Sequence, residues 1–232
     1  MDRLLAAFFF LTVLYSCNPK LSNGLRKNDL KKDVEMITDK GTMIIRLSDS
    51  TPLHRDNFLK LVKQGYYDSL LFHRVINHFM IQGGDPNSKY AKPDQMLGEG
   101  GPPYSIPAEF RNSLFHYKGV IAAAREGDDV NPGKASSGSQ FYIVQGKIFT
   151  DGQLDTLEIV RLHGRKIPGW QRVKYKTIGG TPHLDQQYTV FGEVIKGLDV
   201  IDSIAAVPTA KPYDRPETDV RIIKMQLIRR KN

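Results

Sequence analysis

Apolar residues fall in short runs along the chain, parted by Gly, Pro and Asn, and the period of each run says what it folds into. Residues 34–48, VEMITDKGTMIIRLS, read as two strands about the turn residues Asp39, Lys40 and Gly41. STPLHRDNFLKLVKQGYY then changes to helical spacing: Thr51 is placed to cap, Pro52 suits a first turn, Phe58, Leu61 and Val62 share a face, and Gly65 ends it. Residues 70–76, 79–82, 120–124, 140–145 and 188–194 are further short strand candidates. Residues 197–207 predict a second helix with Leu198, Ile201, Ile204 and Ala205 inward, and residues 220–228 a last strand with Ile223, Met225 and Leu227 inward. Many short strands with turn signals between them predict a mainly β sandwich or closed barrel. Residues 147–180 break this rhythm. They are rich in charge, hold Trp170 and a helical stretch at 154–162, and read as an insertion on a compact domain.

The N-terminus follows different rules. MDRLLAAFFFLTVLYSC has a basic residue at Arg3 and an apolar run at residues 4–14, shorter than the ~20 residues of a membrane span. This is the pattern of a secretory signal. Leu14, Tyr15, Ser16 and Cys17 are similar to a bacterial lipoprotein box, so Cys17 is expected to carry a lipid anchor. Residues 18–32, polar and aperiodic, are expected to be a tether to a domain at residues 33–230. Cys17 is the only cysteine among 232 residues, which suits an oxidising compartment. The protein is therefore expected in the bacterial cell envelope, exported, lipid-anchored and facing the periplasm.

Composition narrows the chemistry. With 40% apolar and 25% charged residues, the chain is neither disordered nor fibrous. The net charge of +8 is spread out, so no nucleic-acid partner is expected. The six histidines lack metal-ligand spacing. Ser137 and Ser139 lie in SSGSQFYIV without a GxSxG elbow, which speaks against a serine hydrolase. Neither metal nor cofactor is expected. What stands out is FHRVINHFMIQGGD at residues 72–85, where Arg74 and Gln82 sit among Phe72, Val75, Ile76, Phe79, Met80 and Ile81. In a strand Phe72, Arg74 and Ile76 would share one face.

FHRVINHFMIQGGD, then SSGSQFYIV, then HLDQQYTVFGEV, in that order, resembles the cyclophilin family of peptidyl-prolyl cis-trans isomerases, over residues 34–228 apart from the insertion. The resemblance implies a closed eight-stranded antiparallel β-barrel capped by two α-helices. It makes Arg74 the active-site arginine, with Gln82 beside it. Phe79, Met80, Tyr142 and Leu184 would form the proline pocket, and Gly98, Ala124 and Gln140 the substrate groove. Three positions depart from the best-known eukaryotic members: Arg125 stands for asparagine, His183 for tryptophan and Tyr188 for histidine. The tryptophan position is associated with cyclosporin, so tight sensitivity to that drug is not expected. The implied function is isomerisation of X-Pro bonds in exported proteins by a monomer acting on proline-containing polypeptides. The alternative is a lipid-anchored module that binds proline peptides with little turnover.

Overall fold

Alternation of buried and exposed positions builds the sheet. In the computed structural model, which describes residues 24–93 and 95–230, β1 (Lys32–Thr38) and β2 (Gly41–Leu47) pair antiparallel about Asp39 and Lys40. Val34, Met36, Met43 and Ile45 point to the core and are fully buried. The remaining long-sheet strands are β3 (Arg74–Ile76), β4 (Met80–Gly83), β5 (Val120–Ala123), β6 (Phe141–Val144), β7 (Val190–Lys196) and β8 (Ile222–Arg229). They form one curled antiparallel sheet of eight strands in the order β8, β1, β2, β7, β5, β6, β4, β3. The segments ahead of the two outer strands meet: Ser69 N and Phe72 N donate to the carbonyls of Ile222 and Val220, and Ile222 N donates to that of Leu70. Short backbone contacts, rather than a continuous ladder, join these ends.

Two helices pack on the inward residues of this sheet, α1 (Pro52–Lys63) and α4 (Leu198–Ala205). The expected cap at Thr51 is corrected: its hydroxyl makes no capping bond. Glu109, from a distant loop, does the work instead, accepting from Leu53 N at 3.2 Å and His54 N at 3.0 Å. The same carboxylate holds the His54 ring at 2.7 Å, and Ser136 closes the row at 2.9 Å on the other ring nitrogen. All three side chains are buried, and this row braces the start of the helix.

Three other expected inward or outward positions differ in the structure. Ile223 is half exposed while Ile222 is buried, because a bulge opposite Ile37 and Thr38 inserts one residue into β8. Phe72 joins the interior core instead of the Arg74 face, since β3 begins only at Arg74. Leu198 lies exposed over Gly119, where an added Cβ would come 2.6 Å from its Cδ2, and Val200 takes the inward place.

The insertion contains α2 (Asp151–Val160) and α3 (Gly169–Thr177), so a helix pair stands where one helical stretch was expected. A capping box between Thr150 and Gln153 starts α2. Arg172 on α3 binds Asp151, Asp155 and Glu158 of α2, and Phe149, Leu154, Tyr175 and Phe115 make a small core of their own. Trp170 stays half exposed, edge-on to Phe115 at 5.0 Å. The neck is pinched at Gly146, where a Cβ would lie 2.4 Å from the Gly180 Cα.

Cys17 and the start of the expected tether lie outside the described residues. Over its described part the tether is corrected. Leu25 is completely buried in the main core, and Asp29 accepts from Arg26 N, Lys32 and Lys63. Burial opposes the Asp29 charge, but these partners hold its carboxyl well below the usual range. Leu25→Ala is therefore expected to lower the unfolding free energy in urea by about 2–5 kcal/mol, as a core deletion does; a tether residue would leave it unchanged.

Candidate functional site

Cross-strand register assembles the site. Arg74 lies opposite Gln82, Gln82 opposite Tyr142, and Tyr142 opposite Ala122. Directly opposed residues share a face, so these four form one row on the outward side of the sheet. The neighbouring row, Ile76, Met80 and Val144, extends the same side. Val75, Ile81, Ile143 and Ile121 alternate to the other side and belong to the interior core. The outward apolar residues form a separate cluster, in which Phe79, Ala124, Leu184 and Tyr188 pack against Met80, Tyr142 and Val190.

Above this row lies a cavity of about 440 Å³. Of the residues that the resemblance assigns to the site, Arg74, Phe79, Met80, Gln82, Gly98, Ala124, Arg125, Tyr142, Leu184 and Tyr188 line it. Gln140 and His183 do not. Gln140 sits behind Gln82, in the wall of a neighbouring groove, and His183 lies beyond Phe79, its ring stacked at 5.7 Å and 19°. The cavity also takes His73, Met96, Leu97, Glu99 and the loop Pro212, Tyr213 and Asp214, none of which sequence reasoning singled out. His73 stood in the motif itself; residues 96–99 and 212–214 come from loops with no periodic signal.

A chain of amides holds the arginine. Arg74 Nη1 donates to Gln82 Oε1 at 3.3 Å, and Gln82 Nε2 donates to Gln140 Oε1 at 3.2 Å. Gln140 Nε2 donates to the carbonyls of Gly98 at 2.7 Å and Gly100 at 2.8 Å. Asp85, fully buried, fixes that loop by accepting from Gly98 N at 2.6 Å. Gly98 has φ +108°, a conformation that favours glycine. Among the described residues Arg74 makes no ion pair, so the rest of its donor fork is uncommitted.

The opposite wall is aromatic. Tyr188 meets Tyr142 edge-on at 5.7 Å, and the Arg125 guanidinium lies over the Tyr188 ring at 4.6 Å. Arg125 is itself held by the Gln187 carbonyl at 2.8 Å and by Asp128 at 2.6 Å. Tyr142 has a second connection, into the insertion. Asp185 accepts from His116 Nδ1 at 2.9 Å and from the Tyr175 hydroxyl at 2.6 Å, and His116 Nε2 bonds the Tyr142 hydroxyl at 2.9 Å. With Nδ1–H donating to the carboxylate, the ring is held with Nε2 facing the tyrosine hydroxyl. Burial raises the pKa of both tyrosine hydroxyls and keeps them protonated.

Burial pushes His73 down to about 4, and His183 likewise to about 4, the latter with Arg161 adding to the effect. Both His73 ring nitrogens are without partners among the described residues. Between pH ~6.5 and about 4 the unfolded chain holds protons that these folded histidines refuse, so stability falls as pH drops through that window. For His73 the loss is up to about 3 kcal/mol. Urea titrations between pH 7 and 4 should show the decline, and His73→Gln should make it shallower by the His73 share while the His183 share remains.

Comparison with known proteins matches residues 33–227 to the family described as cyclophilin type peptidyl-prolyl cis-trans isomerase/CLD. A Staphylococcus saprophyticus protein named "Putative peptidyl-prolyl cis-trans isomerase" is 36% identical over 214 residues, covering 90% of this chain and 98% of that one. A Staphylococcus haemolyticus protein of the same name is 36% identical over 208 residues, covering 88% and 94%. Among solved structures, a Cryptosporidium parvum cyclophilin-type isomerase superimposes with a TM-score of 0.61 at 24% identity, covering 85% of this chain and 97% of that one. The same protein solved in the presence of the dipeptide Ala-Pro gives 0.61 at 23% identity, covering 84% and 98%.

Proposed function

The chain belongs to the cyclophilin-type peptidyl-prolyl cis-trans isomerase family, and from that premise we propose that it turns X-Pro bonds by placing Arg74 against the amide while the apolar cavity holds the proline ring. It is a peptidyl-prolyl cis-trans isomerase; the proposal concerns how it acts and on what.

Rotation about a peptide bond meets a barrier of roughly 18–20 kcal/mol because resonance stiffens the C–N bond. Before proline the two isomers are close in energy, and only the rate, tens to hundreds of seconds uncatalysed, is limiting. As the amide twists, its nitrogen becomes pyramidal and regains a lone pair. A donor aimed at that nitrogen binds the twisted form better than either planar one, which is the condition for catalysis. The guanidinium suits this role, since it keeps its charge and offers several donors in a fixed fork. Phe79, Met80, Tyr142 and Leu184 would hold the pyrrolidine ring still, so that the chain before it rotates. Gln82 and Gln140 would orient Arg74 or the peptide backbone.

The observation that carries this reading is Arg74 at the edge of the apolar cavity, held by Gln82 and by no carboxylate among the described residues. A groove that only bound proline peptides would have no need of a guanidinium so presented. The signal-like residues 1–17 and Cys17 support a substrate class of exported polypeptides met at the membrane surface of the envelope. In a proline-peptide isomerisation assay on the full chain, Arg74→Ala is expected to lower kcat/KM by about 10- to 150-fold, the loss of a charged hydrogen bond worth roughly 1.5–3 kcal/mol. Unchanged turnover would remove Arg74 from the mechanism.

A further inference from the structure

Beside the proline cavity, on the far side of the stacked Phe79 and His183 rings, lies a second and larger space of about 780 Å³. One wall is Phe79 and His183; the other belongs to the insertion. Helix α2 turns two faces in different directions. Its carboxylates, Asp151, Asp155 and Glu158, are taken up by Arg172, Lys176 and Lys166. Its other face presents Leu157, Val160 and, just beyond its end, Arg161 to the cavity, where Phe149 and Lys147 join them.

No aspartate or glutamate lines this space. Among the described residues neither Lys147 nor Arg161 has a carboxylate partner; Lys147 only stands over the Phe149 ring at 5.3 Å. Val160 is 65% exposed, an apolar surface left beside two uncompensated cations. The wall also includes Thr181, which is 98% buried by its 2% exposure and whose hydroxyl has no partner among the described residues. Charge and apolar surface together fit an extended peptide segment carrying an acidic side chain next to an apolar one.

We propose that this groove is an exosite through which the isomerase selects substrate polypeptides with an acidic residue near the target proline. The inference rests on the isomerase reading above, since it takes the occupant to be a continuation of the chain whose proline fills the neighbouring cavity. The two spaces share Phe79, and only the ring pair separates them. Because one ring pair separates the two spaces, the acidic side chain falls within a few residues of the proline. Both cations are exposed, so the attraction is screened by salt and tunes selection more than it sets overall affinity.

The test uses the full chain and synthetic peptides with one central Ala-Pro bond. A Glu-Leu pair is placed three residues before the proline in one peptide and three after it in another, and each is compared with its Gln-Leu counterpart. The wild type is expected to favour one of the acidic peptides by about 2- to 30-fold in kcat/KM at low salt, the range of two exposed ion pairs, and to lose the preference as salt is raised. Lys147→Glu with Arg161→Glu should bring the ratio below one, and Arg161→Gln alone should lower it in part. A ratio of one for both acidic peptides, with the Gln peptides still turned over, would overturn the exosite alone, as would a preference that survives the double charge reversal. No turnover of any peptide would overturn the isomerase reading with it.

Discussion

The register between β3, β4, β6 and β5 is the constraint on which the site depends. It puts Arg74, Gln82, Tyr142 and Ala122 in one outward row, while Val75, Ile81, Ile143 and Ile121 fill the interior. A slip of one residue would drive the guanidinium into the core and the isoleucines into solvent, so the apolar interior fixes where the charge must go. The core of the sheet is thus also the positioning device for the arginine.

Once placed outward, the arginine is restrained by neutral groups. Gln82 and Gln140 pass its orientation to the Gly98 and Gly100 carbonyls, and Asp85 locks that loop from beneath. An acid in their place would hold the guanidinium more tightly but would take up donors that are otherwise uncommitted. On the other wall, the tyrosine at position 142 is tied through His116 and Asp185 to Tyr175 of the insertion. The insertion therefore braces the pocket as well as widening its surroundings.

Much of this was legible in the sequence, for a physical reason. FHRVINHFMIQGGD, GSQFYIV and HLDQQYTVFGEV are contiguous stretches in which neighbouring residues serve one cavity, so the resemblance carried the pocket with it. What lacked a local signal was missed. The cap of α1 comes from Glu109, 56 residues from Leu53, and residues 212–214 reach the cavity from a loop. Ile223 and Leu198 were displaced by a bulge and by a close approach at Gly119, neither of which leaves a mark in periodicity. The polar residues 24–32 read as a tether because their anchoring rests on two isolated apolar side chains, Leu25 and Leu30, and a buried carboxylate, Asp29. His183 stacks on Phe79 and faces the larger neighbouring space, not the proline cavity.

The central claim is that Gln82 acts through Arg74, holding the fork where a twisting amide can use it. A double-mutant cycle in the isomerisation assay measures this directly, with Arg74→Ala, Gln82→Leu and the two combined. If the account holds, each single substitution lowers kcat/KM and the double variant is no worse than Arg74→Ala alone. Losses that simply multiply would show the two side chains working independently and would contradict it.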